Sequence, residues 1–437
     1  MKRSLLIGLF GLYGLGAGPV LAADLVSVYR EALAHDASFA AARAQFEADQ
    51  EKQVQGRAGL LPQIGFSADG GWNDTEVKTA AGTSSGDFTH RGFGVQLTQP
   101  LFRQQNWVQA KQGELLSALA GVQLSLEQQS LLLRVAEAYF NVLNAQDAVT
   151  VVGQLRTAAS EQLELAKTSF EVGTVTITDV HEAQSRFDLA SAQEIAAESQ
   201  LEIARQQLAL IVGHEPEALA GLRPGLVLEY PQPSELSAWV SAAQGDNLGV
   251  HARQLAQELA AREVERARAG HLPTVDLVAS HGQRHKPQLG TKRNEATSIG
   301  VQLNVPLYTG GLVSSVSREA AALRLKADAE LEDARRAAAL ATRQSWLGVT
   351  SGMAEVKALE AAERSSQSAL EANKLGYEVG VRINIDVLNA QAQLADTLQK
   401  LSRARYDTLL AQLNLKAAAG TLDEADLAQV NALLERD

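Results

Sequence analysis

Two stretches set the fold: Phe170-Glu-Val-Gly-Thr-Val-Thr-Ile-Thr-Asp-Val-His-Glu-Ala-Gln184 and Tyr377-Glu-Val-Gly-Val-Arg-Ile-Asn-Ile-Asp-Val-Leu-Asn-Ala-Gln391. They begin 207 positions apart (377 − 170) and share one plan. In each, a helical pattern runs into an aromatic-Glu-Val-Gly, crosses a short β-branched segment and restarts at an Asp. Gly173 and Gly380 can take the left-handed conformation that ends a helix, and Thr or Asp ahead of a new apolar run can accept hydrogen bonds from its first free N–H groups. Each stretch reads as a tight reversal between two helices, and its recurrence marks a duplication.

Upstream of the first reversal no proline occurs from Gln104 to Glu171, and the apolar period stays helical for 68 residues (171 − 104 + 1). At about 1.5 Å per residue such a helix is roughly 100 Å long, more than an ordinary globular domain needs. Downstream, a return helix is expected from Asp179 to about Val212. Before the long helix, at Pro62, the apolar period changes from helical to alternating. Ile64, Phe66, Ala68 and Trp72 fall on one face, and Gln63, Ser67 and Asp69 on the other, predicting a strand of about ten residues. A Gly/Ser/Thr-rich tip spans 73–89; Phe93, Val95 and Leu97 then alternate with Gly94, Gln96 and Thr98 until Pro100.

The same order recurs in the second half. Val275, Leu277 and Ala279 alternate with Thr274, Asp276 and Ser280, and after a polar tip around Pro287 come Ile299, Val301, Leu303 and Val305. Val301-Gln-Leu-Asn-Val-Pro-Leu-Tyr308 answers Val95-Gln-Leu-Thr-Gln-Pro-Leu-Phe102. Between the copies Pro216, Pro224, Pro231 and Pro233 mark a connector, followed by a short helix expected to be capped by Ser234. The expected divisions are a leader at 1–23 and a first repeat at 24–213 with hairpin 62–100, long helix 104–171 and turn 172–179. A connector at 214–236, a second repeat at 237–420 with hairpin 273–306 and turn 378–386, and a final helix within 421–437 complete the chain.

Apolar residues make up 46% and aromatics 5%, a composition that suits long helices packed side by side. Lys2 and Arg3, an apolar run from Leu5 to Val20, and Ala22-Ala23 read as a cleaved secretory signal, so the mature chain is expected to leave the cytoplasm. Losing Lys2 and Arg3 takes the net charge from −12 to −14, which disfavours a nucleic-acid partner. The absence of cysteine excludes disulfides, thiolate metal sites, a Cys nucleophile and a lipidated N-terminal cysteine. His281 and His285 are spaced for a helix but fall in a strand and its tip, and no phosphate loop, serine elbow or zinc-protease motif occurs. No enzyme activity, cofactor or metal is expected.

Ten-residue strands with alternating apolar and polar faces suit a membrane barrel. Four strands cannot close, and an open edge in lipid leaves backbone groups unsatisfied at several kcal/mol each. Several chains must then share one barrel, in a number this argument leaves open. The competing reading is a soluble periplasmic helical scaffold or adaptor with two small hairpins.

Several segments together resemble the TolC family of outer-membrane exit ducts for type I secretion and multidrug efflux. They are Leu60-Leu-Pro-Gln-Ile-Gly65, Ala138-Tyr-Phe-Asn-Val-Leu-Asn-Ala145, Val172-Gly173 with Ile177-Thr-Asp-Val180, His271-Leu-Pro-Thr-Val-Asp276, Pro306-Leu-Tyr-Thr-Gly-Gly311, and Tyr377 with Asp386-Val-Leu388. The resemblance implies a mainly α chain with a membrane β-barrel: a homotrimer whose twelve-stranded barrel continues into a periplasmic α-helical barrel. The connector and final helix would belt it. The implied partners are a periplasmic adaptor (membrane fusion) protein, an inner-membrane ABC or RND transporter, and outer-membrane lipid. The two turns, with Gly173 and Gly380, would form the periplasmic entrance. Thr178 and Asp179 would partner Tyr377 and Arg382 on the other coil or a neighbouring chain to hold it shut. Asp386 would ring the narrowest lumen, and Asn389 stands where the family commonly has a second Asp.

Overall fold

The computed structural model describes residues 22–80, 82–215 and 218–435. The leader expected at 1–23 thus lies almost wholly outside the described residues. Its last residue, Ala23, donates to Ala218 O at 2.8 Å and accepts from Ala220 N at 3.1 Å.

Helices α1 (Leu25–His35) and α2 (Ala37–Ala58) lead into strands β1 (Gln63–Thr79) and β2 (Gly82–Phe102), then α3 (Gln104–Glu171) and α4 (Ile177–Val212). The order repeats as α5 (Leu236–Asp246), α6 (Leu248–Arg268), β3 (Thr274–His285), β4 (Arg293–Asn304), α7 (Leu312–Glu378) and α8 (Asn384–Ala419), closed by α9 (Glu424–Asn431). Asp24, Asp36 and Asn247 each accept from the N–H three residues on, fixing where α1, α2 and α6 begin. Helix α3 has 68 residues and α7 has 67, so both are roughly 100 Å long. Ser234 is not a cap: α5 starts after Glu235, which makes no side-chain cap bond, and Trp239 Nε1 instead anchors the helix to Pro233 O at 2.7 Å.

The four strands form one antiparallel sheet in the order β1-β2-β3-β4, leaving β1 and β4 as free edges. One face exposes Ile64, Phe66, Trp72, Ile299, Val301 and Leu303. The other carries Gln63, Gln96, Ser280 and Ser298. The first hairpin differs from expectation. Its ladder zips from Gln63↔Thr98 to Thr79↔Gly82, so most of 73–89 is strand rather than tip. Ladder bonds use backbone groups alone, and where both faces meet water no alternation of polarity records them. Nor does Pro100 end β2: the strand continues to Phe102 through a register shift, the irregular setting that a residue without an N–H requires.

The main core lies midway along the helices, where Leu25, Tyr29, Tyr139, Phe140, Leu208 and Leu413 are almost fully buried. The Tyr139 hydroxyl lies 2.7 Å from Ala220 O and 3.1 Å from Ala23 O. Its ring meets Phe140 edge-on at 5.9 Å. Asp147 accepts from Tyr406 Oη at 2.9 Å and from the Ser402 hydroxyl. Around this waist the connector and the C-terminus form a belt: Arg223 Nε donates to Leu434 O at 2.7 Å, and Asn431 Nδ2 to Asp24 Oδ2 at 2.7 Å. The sheet is joined to the helices by a bidentate fork in which Arg103 meets buried Asp276 at 2.7 and 2.6 Å.

Candidate functional site

The two reversals lie at the ends of the coils farthest from the sheet. Gly173 and Gly380 both have φ of 78°, with open space where a Cβ would sit, so backbone conformation alone selects glycine. Thr174 N donates to Ser169 O at 2.9 Å and Val381 N to Gly376 O at 2.9 Å, closing each helix in the Schellman manner.

Beyond the glycines the copies diverge. Helix α4 starts at Ile177, two residues before the expected Asp179, because Thr176 is its N-cap. Asp179 N donates to Thr176 Oγ1 at 3.3 Å, while the Asp179 carboxylate accepts from Thr176 N and Oγ1, both at 2.8 Å. This capping box engages Asp179 through Oδ2 and leaves Oδ1 without a bond among the described residues. At the equivalent position of the second copy stands Ile383, which caps nothing. The Asp386 carboxylate is therefore free of a cap, and it faces Arg382 at 3.6 Å. The expectation that both aspartates cap their helices holds for Asp179 as partner in the box and fails for Asp386.

Arg382 lies across Gly376, where an added Cβ would meet its Cγ at 2.7 Å. Asp179, Tyr377, Arg382 and Asn384 line one cleft of about 800 Å³ between the two turns. Thr178 is exposed on the first turn of α4. Among the described residues, no side-chain bond joins any two of Thr178, Asp179, Tyr377 and Arg382 within the chain. Asn384 is 4% exposed, and neither of its amide atoms has a partner among the described residues. The nearby apolar cluster is thin, built from Ala159, Leu163, Ala166, Ala183 and Leu388. The turn end is thus less firmly packed than the waist.

One residue escaped the sequence reading. Arg186 Nη2 donates to Asn389 Oδ1 at 2.8 Å, tying α4 to α8. The available signal was spacing: Arg186 follows Asp179 by seven residues and so shares its helix face. Among the described residues no group of three or more His, Asp or Glu side chains could hold a metal ion. His281 Nδ1 is paired with Thr297 Oγ1 at 2.8 Å. No helix among the described residues is long and apolar enough to cross a membrane.

A duplicated chain of long coils, a four-stranded sheet with an apolar outer face and paired glycine turns defines a class of channel-forming outer-membrane protein. The chain belongs to the family described as "Outer membrane efflux protein", which it matches over residues 28–214 and 239–421, one match per repeat. It is 34% identical to "Outer membrane protein TolC" of Vibrio cholerae, over 100% of this chain and 99% of that protein. It is also 34% identical to "Alkaline protease secretion protein AprF" of Pseudomonas aeruginosa, over 98% and 91% of the two. The solved structure of VceC from Vibrio cholerae shares the fold, with a TM-score of 0.78 over 91% of this chain and 96% of that one at 21% identity. The protein resides in the outer membrane, and its helices extend into the periplasm.

Proposed function

We propose that three copies of this chain form one exit duct across the outer membrane and periplasm, serving efflux, type I secretion or both. The observation that carries this reading is the four-stranded sheet with two unpaired edges and an exposed apolar face, continuous with helices of 68 and 67 residues. Edge strands in lipid must be paired, and three copies supply twelve strands, within the range of outer-membrane barrels. The names of the relatives support the cargo classes, since one is a protease secretion protein. The duct would dock on a periplasmic adaptor and an inner-membrane ABC or RND transporter, which would select the cargo. A soluble scaffold is disfavoured because its hairpins would leave Ile64, Phe66 and Val301 in water.

The entrance is proposed to be the turn end. Tyr377 and Arg382 supply donors, Thr178 and Asp179 supply acceptors, and trimer formation would bring the donors of one coil against the acceptors of the other or of a neighbouring chain. The unpartnered amide of Asn384 and the small-residue packing support a junction that separates at low cost. In planar bilayers the purified protein should give a stable small conductance, and Arg382→Ala or Tyr377→Phe should raise it. Unchanged conductance in both variants and in the double variant would remove the latch. Release of the protein from membranes by carbonate would remove the duct itself.

A further inference from the structure

The outer face of the sheet is apolar only in part. Following the ladder away from the helices, Ile64, Leu97, Ala279 and Ile299 share one row. Four residues farther on each of β2, β3 and β4, the rows reach Phe93, Gln283 and Glu295. The next same-face row is Gly70, Arg91, His285 and Arg293, with Arg91 directly opposite His285 and His285 directly opposite Arg293. Residues of equal parity share a face, so these three basic side chains point outward with Phe93, Val95 and Ile299. In a barrel tilted by about 40° such a row climbs about 3 Å per strand, so the three fit a headgroup layer roughly 5–7 Å deep. Trp72 stands beside this level, as aromatics do at a membrane interface. The helices are periplasmic, so this rim lies in the outer leaflet.

Within the row, Arg293 alone meets an acidic partner among the described residues. The sheet's ion pairs among the described residues are Lys78–Glu76, His90–Asp69, Arg284–Asp69, Arg293–Glu295 and, at its base, Arg103–Asp276. Asp69, His90 and Arg284 lie on the opposite, inner face, so they do not neutralise the outer row. Glu295 holds Arg293 at 2.5 Å and fixes its guanidinium against the sheet. Among the described residues Arg91 has no acidic partner, and neither do Lys286 and Lys292, which flank the β3–β4 turn where Lys286 N donates to Lys292 O at 3.0 Å.

We propose that Arg91, His285 and Arg293, assisted by Lys286 and Lys292, form a binding site for the phosphate of an outer-leaflet lipid headgroup. The lipid's chains would lie against Phe93, Val95 and Ile299, and its phosphate would take the guanidinium donors that face no carboxylate. Charge complementarity and continuity with the lipid-facing surface select this occupant over a soluble anion, which would find no apolar contact there. The site rests on the sheet crossing the outer membrane and is independent of how the turn end opens.

The test uses the full-length protein in detergent, with diphosphorylated lipid A and its dephosphorylated form as probes in native mass spectrometry. The phosphorylated lipid should bind more tightly, and Arg91→Gln with Arg293→Gln should weaken it roughly 5- to 30-fold. Arg91→Lys with Arg293→Lys should retain most of the binding, and heat-resistant assembly on gels should be unchanged in every variant. Equal binding of the two lipid forms, or wild-type binding by the double Gln variant, would overturn the site. Full displacement of the lipid by tens of millimolar inorganic phosphate would show a free-anion site and overturn the lipid assignment.

Discussion

At Thr176 and Ile383 a single difference between the repeats decides what an aspartate can do. Thr176 engages Asp179 in a capping box, whereas Ile383 offers nothing and leaves the Asp386 carboxylate available. Freed of a cap, Asp386 meets Arg382 and could join the lumen ring that the family resemblance implies, while Arg186 bonded to Asn389 places a cation nearby. Reversal potentials in a salt gradient should therefore shift in opposite directions. Asp386→Ala should weaken cation preference and Arg186→Gln should strengthen it, and an unaltered potential in both would contradict the assignment. Buried Tyr139 and Tyr406 make a second residue-scale case. Burial pushes both phenols above their ordinary value, and the charge of Asp147 reinforces this at Tyr406. A raised folded-state value means that their stabilisation is complete below the unfolded value of about 10 and is lost as pH rises beyond it. Thermal stability should fall above about pH 10. Tyr139→Phe should cost about 1 kcal/mol at neutral pH and flatten part of the alkaline fall, as calorimetry would record.

Among the elements, the first long helix was legible to the residue. Sustained 3.6 periodicity without proline over 104–171 leaves no alternative to one helix, and α3 spans Gln104–Glu171. The first hairpin was legible only where its faces differ in polarity. Beyond Trp72 both faces are wet, and the ladder out to Thr79↔Gly82 rests on backbone bonds. The fork between Arg103 and Asp276 could not be read, because its partners are 173 residues apart and meet only when the hairpins pair. Asp276→Asn should lower stability by about 1–2 kcal/mol, less than for a fully buried pair because Arg103 remains partly exposed, and chemical denaturation would measure it. Another such meeting is the α2–α3 crossing, where a Cβ on Gly113 would come within 2.5 Å of Lys52 O. Gly113→Val should push the two helices apart at a cost of about 1–3 kcal/mol in the same assay, and a neutral result would refute the close crossing.

For the whole molecule, the buried waist and the thin turn end divide the labour. Tyr139, Tyr406, Asp147 and the belt around them fix the coils at mid-length, and the far ends retain small side chains and an Asn384 amide without a partner among the described residues. A tube anchored in the middle can open at one end without unfolding. A strain lacking this gene should show drug sensitivity, loss of secreted protein, or both, and complementation by the wild-type chain should restore the same phenotype. Absence of both defects would argue against the proposed duct. By itself the sequence determined the duplication, the two reversals, the long helices and the need for the strands to find partners, since periodicity, glycine, proline and backbone satisfaction are local rules. Only the tertiary structure decided which aspartate is spent on a cap, where the first hairpin ends, and that Arg103 meets Asp276, Arg186 meets Asn389 and Arg91 lines up with His285 and Arg293. Those contacts join residues far apart in the chain, and their register is set when strands and coils pack together.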